Sequence, residues 1–111
     1  MNTDYETLRR RHQREALALL PEHLARIMWP RERLQAERER SLRALVEVAQ
    51  RQSPWHRERL GHLNARRLRE EDLGHIPVMT KQDLMANFDA IVTDRRLRLD
   101  LLESHLARRA F

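Results

Sequence analysis

Glycine is almost missing from this chain. Its 111 residues contain only Gly61 and Gly74, beside four prolines. The remainder is rich in Arg, Glu, Leu and Ala, which lose little rotamer freedom in a helix, so the balance favours helix over sheet. Two isolated glycines also build neither a P-loop nor a dinucleotide fingerprint, which excludes both within these residues. The expected fold class is mostly α, with several short to medium helices. Charged residues make up 35% of the chain and the mean hydropathy is −0.80. Such a chain forms a thin core, or one completed by something else.

Helix punctuation divides the sequence. Thr3-Asp4-Tyr5-Glu6 reads as a capping box opening a helix that runs to about Leu20, where Pro21 interrupts or restarts it. Residues 22–29 form a short apolar-faced piece with Leu24, Ile27, Met28 and Trp29, and Pro30 suits the first turn of the next helix. Residues 31–51 predict the best-defined helix. Leu34, Leu42, Leu45, Val46 and Ala49 follow three-and-four spacing, Arg and Glu take the other side, and Glu39 and Arg43 form an i,i+4 pair worth ~0.3 kcal/mol. Arg38 in the stripe argues against a coiled coil. Ser53 caps, Pro54 takes the first helical position, and Gly61 ends a two-turn helix. Asn64 caps another short piece carrying Leu68.

The stretch Ile76-Pro77-Val78-Met79-Thr80-Lys81-Gln82-Asp83-Leu84 is the strongest local signal. Proline disfavours helix at Ile76, Thr80 caps the Asp83 amide, and Asp83 answers the Thr80 amide as in a capping box. Met79 and Leu84 stand at the positions of a hydrophobic staple. The helix from Lys81 carries Leu84, Met85 and Phe88, followed by Ile91 and Val92, which are compatible with a very short strand. Thr93-Asp94 marks a turn, and a last helix near Leu99 to Arg108 aligns Leu99, Leu102 and Leu106. Two regions result: a helical arm over residues 1–29 and a helical segment over residues 30–111.

The net charge is +5, and 21 of the 22 basic residues are arginine. Charge is nevertheless interleaved. Residues 1–53 carry 11 basic against 8 acidic groups, residues 54–79 carry 5 against 4, and residues 80–111 carry 6 against 5. That pattern describes solvated helix faces and argues against nucleic acid as a partner. Arg9-Arg10-Arg11 is the one basic run, flanked by Glu6 and Glu15. Cysteine is absent, which removes disulfides, thiolate nucleophiles and sulfur-rich zinc sites. No segment approaches the ~20 apolar residues of a membrane span. The first residues lack a signal-peptide core, so the expected location is the cytoplasm and no membrane partner is expected.

Chemistry-bearing residues are few. His12, His23, His56, His62, His75 and His105 form no helical zinc-protease pair and read as surface or interfacial imidazoles. Ser41, Ser53 and Ser104 lack a nucleophile signature. Glu70, Glu71 and Asp72 point apart on a helix or turn and read as solvated charge. Trp29 and Trp55 read as core or interface packing. No catalytic or metal-ligating residue is expected. Lys81, the only lysine, is the single candidate for cofactor binding, as a phosphate cation or Schiff-base amine. Its first-turn position predicts a solvent-facing side chain, and either role requires partners from outside this chain.

Two segments together resemble a known family. Ser53-Pro54-Trp55-His56-Arg57-Glu58-Arg59-Leu60 is similar to an S-P-(aromatic)-(aromatic)-R-E-R-L segment, with His56 departing from the second aromatic. Leu73-Gly74-His75-Ile76-Pro77-Val78-Met79-Thr80-Lys81-Gln82-Asp83-Leu84 is similar to L-x-x-(L/I)-P-x-(T/hydrophobic)-T-K-x-D-L. This order, continuing through Met85–Asp94, resembles the N-terminal region of the phenylacetate–coenzyme A ligase-like branch of the adenylate-forming, AMP-binding enzymes. The resemblance covers residues 30–110. It implies a helical N-terminal scaffold belonging to a larger α/β enzyme. That enzyme would activate a carboxylic acid with ATP and magnesium to an acyl-adenylate and pass the acyl group to a thiol such as coenzyme A.

The family's Ser/Thr/Gly-rich phosphate loop lies downstream of the matched region, and these residues end at Phe111, before it. The resemblance therefore implies a non-catalytic segment, inactive alone, which contains no cofactor site of its own. Its partner would be the remainder of the ligase or a separate ligase body. The alternative from charge alone is a standalone basic helical module binding nucleic acid or a partner protein.

Overall fold

The computed structural model describes residues 4–109. They form helices α1 (Tyr5–Arg26), α2 (Arg31–Gln52), α3 (Pro54–Leu60), α4 (Lys81–Ile91) and α5 (Leu99–Arg109). Two 3-10 turns, Ala65–Arg67 and Glu70–His75, lie between α3 and α4. The protein is mostly helical and has no strand among the described residues. Ile91 is the last residue of α4 and Val92 caps it, so the short strand considered there does not form. No described helix is long and apolar enough to cross a membrane. Two compact units divide between Glu37 and Arg38, inside α2.

In the first unit Asp4 is the N-cap of α1. Its carboxylate accepts from the Glu6 amide at 2.7 Å and from the Thr7 hydroxyl at 3.1 Å. Thr3, the expected cap, lies outside the described residues. The helix does not stop at Leu20; it continues through Pro21 to Arg26. Proline removes the donor that would meet the Leu17 carbonyl, but α1 is exposed along this stretch, so water can take that bond. No residue of α1 is buried. Leu17, Leu20, Leu24 and Ile27 recur at helical spacing on its surface, all exposed. The arginine run is answered within the helix, Arg9 by Glu6 at 3.6 Å and Arg11 by Glu15 at 2.9 Å. Pro30 sits one position before α2, its carbonyl accepting from the Leu34 amide. Trp29 is half-buried under the Arg33 guanidinium, 3.7 Å from the ring centroid.

The second unit holds the core. Val46 of α2 packs with Leu60, Ala65 and Leu68, and Leu42, Ala49, Leu63 and Ile76 surround them. These come from one face of α2, the end of α3 and the irregular segment that follows. Irregular backbone leaves carbonyls without helical donors, and each must find one. Side chains of α2 supply them. Arg43 Nε donates to the Leu68 carbonyl at 2.8 Å, and Gln50 Nε2 donates to the carbonyls of Leu60 at 2.8 Å and Leu63 at 3.0 Å. Arg38 pairs with Glu70, fastening the second 3-10 turn to the same helix. Arg43 also stands 3.7 Å from Glu39, the expected pair, but its shorter bond goes to the loop.

Gly61 ends α3 for a reason the sequence did not predict. Its φ is −62°, so it takes no left-handed cap. A Cβ there would instead come 2.9 Å from the Arg57 carbonyl oxygen, and only glycine allows that approach.

Candidate functional site

The two segments that carry the family resemblance meet as the pair α3 and α4. At one end stands Ser53, whose relative exposure is 0%. Its hydroxyl accepts from the His56 amide at 3.3 Å, capping α3, and donates to the Ala90 carbonyl near the end of α4, also at 3.3 Å. A buried hydroxyl must have partners, and this one joins two helices with them.

Arg59 closes the other end. Its guanidinium lies over the Trp55 ring, 4.3 Å from the centroid. It also donates to the Val78 carbonyl at 3.3 Å and stands 3.8 Å from the Asp83 carboxylate. The start of α3 thus touches the end of α4 and the end of α3 touches its start, so the two run antiparallel. Trp55, read as packing, is half-buried and forms the platform for this arginine.

Asp83 serves the cap as well. Thr80 N donates to Asp83 Oδ2, and Asp83 N donates to Thr80 Oγ1, both at 3.0 Å, completing the expected capping box. These bonds to Thr80, with Arg59 adding to them, hold the Asp83 carboxyl below its usual range. Further along α4 the backbone leaves helical geometry at Asn87, whose side-chain amide donates to the Asp83 carbonyl at 3.0 Å.

An open apolar groove of ≈ 510 Å³ lies beside α3. Leu45, Val48 and Ala49 of α2 line it with His56, Val92 and Thr93. Leu45 belongs to the expected α2 stripe but is 68% exposed, because the core engages the neighbouring direction through Val46. His56 is the one ionisable residue of the wall. Burial, and then the Arg59 charge, push its pKa below the ordinary 6.5.

Lys81 opens α4 and is exposed, the solvent-facing position expected for it. Nothing in α3 or α4 converges on it. The acidic triplet separates as expected: Glu70 meets Arg38, Asp72 accepts from the Arg69 amide at 2.9 Å, and Glu71 stands 3.4 Å from Arg69. Among the described residues no group of three or more His, Asp or Glu side chains could hold a metal ion.

Sequence reasoning missed the second bond of Ser53, the three-way role of Arg59 and the placement of His56 in a groove. Ser53, Arg59 and Asp83 all stood in the two motif segments, but their pairing spans residues distant in sequence and has no local signature. No family of known proteins, no curated protein and no solved structure matches this chain.

Proposed function

We propose that residues 30–111 form the N-terminal scaffold of a carboxylate–coenzyme A ligase of the phenylacetate–coenzyme A ligase-like, acyl-adenylate-forming type, and that this segment contributes no reacting group. One observation supports the reading best. Arg59 binds Trp55 of the first motif segment and Val78 and Asp83 of the second. The residues that carry the resemblance are therefore one structural unit, and Ser53, Arg59, Thr80 and Asp83 each have a structural task. A scaffold is built in this way.

The groove beside α3, with Leu45 exposed on its wall, is where this reading would seat the remainder of the ligase. ATP, magnesium and coenzyme A belong to that remainder. Acyl adenylation needs amides, cations and metal around the transferring phosphoryl group, and a ligase body would supply them.

Pyrophosphate release from ATP, with coenzyme A and a panel of aryl and aliphatic acids, tests the reading. Residues 1–111 alone are expected to give none. Extension by the coding sequence beyond Phe111 is expected to add a Ser/Thr/Gly-rich loop and activity. Turnover by residues 1–111 alone would overturn the scaffold role. Nanomolar nucleic-acid binding with a steep salt dependence would move the assignment to a basic interaction module.

A further inference from the structure

Arg26, the last residue of α1, stands where the chain turns towards α2. Its Nη2 donates to Glu22 Oε1 at 3.3 Å, and its Nη1 lies 3.3 Å from His23 Nδ1. Both of those partners belong to α1. Two further contacts carry the guanidinium across the turn. Glu37 of α2 stands 3.6 Å from Nη2, and the centre of the guanidinium lies 5.6 Å from the Trp29 ring centroid. All of these residues fall in the first compact unit, so the corner is one local cluster.

This guanidinium is poorly satisfied. The ion pairs Arg11–Glu15 and Arg96–Asp94 close to 2.9 and 2.7 Å. Arg26 instead shares one nitrogen between two carboxylates at longer range. Its Nε is buried with no hydrogen-bond partner among the described residues. A buried donor without an acceptor is a standing cost, recovered when the side chain moves into water. No residue of α1 is buried, so no buried apolar side chain of α1 offsets that cost. The backbone bonds Met28 N to Ala25 O and Trp29 N to Arg26 O extend α1 and do not reach α2.

We propose that Arg26 is a charge-operated latch: its contacts to Glu37 and Trp29 hold α1 at one angle to the start of α2, and weakening them lets α1 swing as a rigid helix about residues 27–30. The Arg26 and Glu37 side chains are 30% and 21% exposed, so dissolved ions reach both. At about 1 M salt the screening length is ~3 Å, no longer than the pair itself. α1 stays a helix during the swing, because its backbone bonds and its Asp4 cap are internal to it. The direction of the arm that carries Arg9-Arg10-Arg11 thereby follows its ionic surroundings.

The chain has no cysteine, so Ala18→Cys and Ser41→Cys, both at exposed positions, take one nitroxide label on α1 and one on α2. Electron–electron double resonance on residues 1–111 reads the distance between them in low salt and in about 1 M NaCl, with circular dichroism following helix content. The expected result is one dominant distance in low salt and a minor second population. Salt should raise that population about two- to fivefold, the range set by loss of a partly exposed ion pair. Arg26→Gln and Glu37→Gln should show the raised population already in low salt and respond little to more. Arg11→Gln, which breaks a pair within α1, should behave as wild type. A distribution that salt leaves unchanged, an Arg26→Gln distribution equal to wild type, the same change in Arg11→Gln, or a loss of helix signal in place of a second distance would each overturn the latch. The ligase assignment is independent of every one of these results and falls on turnover by the isolated chain.

Discussion

Replacing Ser53 with alanine separates a connecting hydroxyl from a merely local helix cap. The side chain is fully buried and has two bonds, accepting from His56 N and donating to Ala90 O. Loss of an N-cap costs about 1 kcal/mol. Leaving the half-buried Ala90 carbonyl without that donor costs about another 1 kcal/mol. Together they amount to about 2 kcal/mol, which for a domain of this size lowers the melting temperature by about 10 °C. The core is small, five buried apolar residues in the described chain, so this is a large fraction of total stability. Ser53→Gly apportions the loss. Glycine caps within a few tenths of a kcal/mol of serine, so its deficit reports mainly the bond to Ala90. Urea unfolding gives the magnitudes, and amide exchange gives their place: protection should fall at the end of α4 in both variants, and at the start of α3 chiefly in Ser53→Ala. A loss below about 0.5 kcal/mol in Ser53→Ala, within the range of an ordinary surface change, would refute the joining role.

Arg59→Ala should loosen the start of α4, with about 1 kcal/mol from the lost cation–π contact alone; Arg59→Lys should recover only part of the urea midpoint, because an ammonium cannot reproduce the planar contact and forked donation together. Full recovery in the lysine variant would show that charge alone suffices. Asp94 is held by Arg96 at about 2 against an ordinary 3.8. Its folded carboxylate is favoured, so the contribution of the turn is complete above pH 3.8 and is lost as pH falls through about 2. Asp94→Asn should abolish that acid limb in chemical shifts around residues 94–96, and an unchanged limb would assign it to another carboxylate.

Local signals were legible where the physics is local. The Thr80 capping box, the Ser53-Pro54 start and the α2 helix all follow from residues within a few positions of one another, and each is present. Pro21, expected to interrupt or restart the first helix, lies inside α1, where the exposed Leu17 carbonyl that loses its donor can turn to solvent. Gly61 ends α3 as expected, but what requires glycine there is the Arg57 carbonyl beside it, which the sequence does not reveal. The groove was illegible because Leu45 and Val46 look equivalent in an apolar stripe; which of them meets the core depends on where residues 60–68 return to α2. Arg59 was hidden for the same reason, since its partners lie in a segment that only the fold brings to it.

Lys81 is the chemistry-bearing residue of the second motif segment for which no structural bond is found among the described residues. Thr80 and Asp83, on either side of it, form the cap, and Val78 supplies the carbonyl that Arg59 binds. A cation in the first turn opposes the helix dipole slightly, so a scaffold selected only for stability gains nothing from it. Two consequences separate. Lys81→Ala should leave the unfolding free energy within about 0.5 kcal/mol of wild type, on the side of stabilisation if it moves at all. Under the proposed ligase reading, the same variant should reduce adenylate formation in any extended protein that proves active, with a larger effect on the ATP KM than on acid binding. A clear loss of stability would give Lys81 a place in the fold and end its candidacy as a ligand. Unchanged stability with unchanged ATP dependence would leave the whole motif to structure.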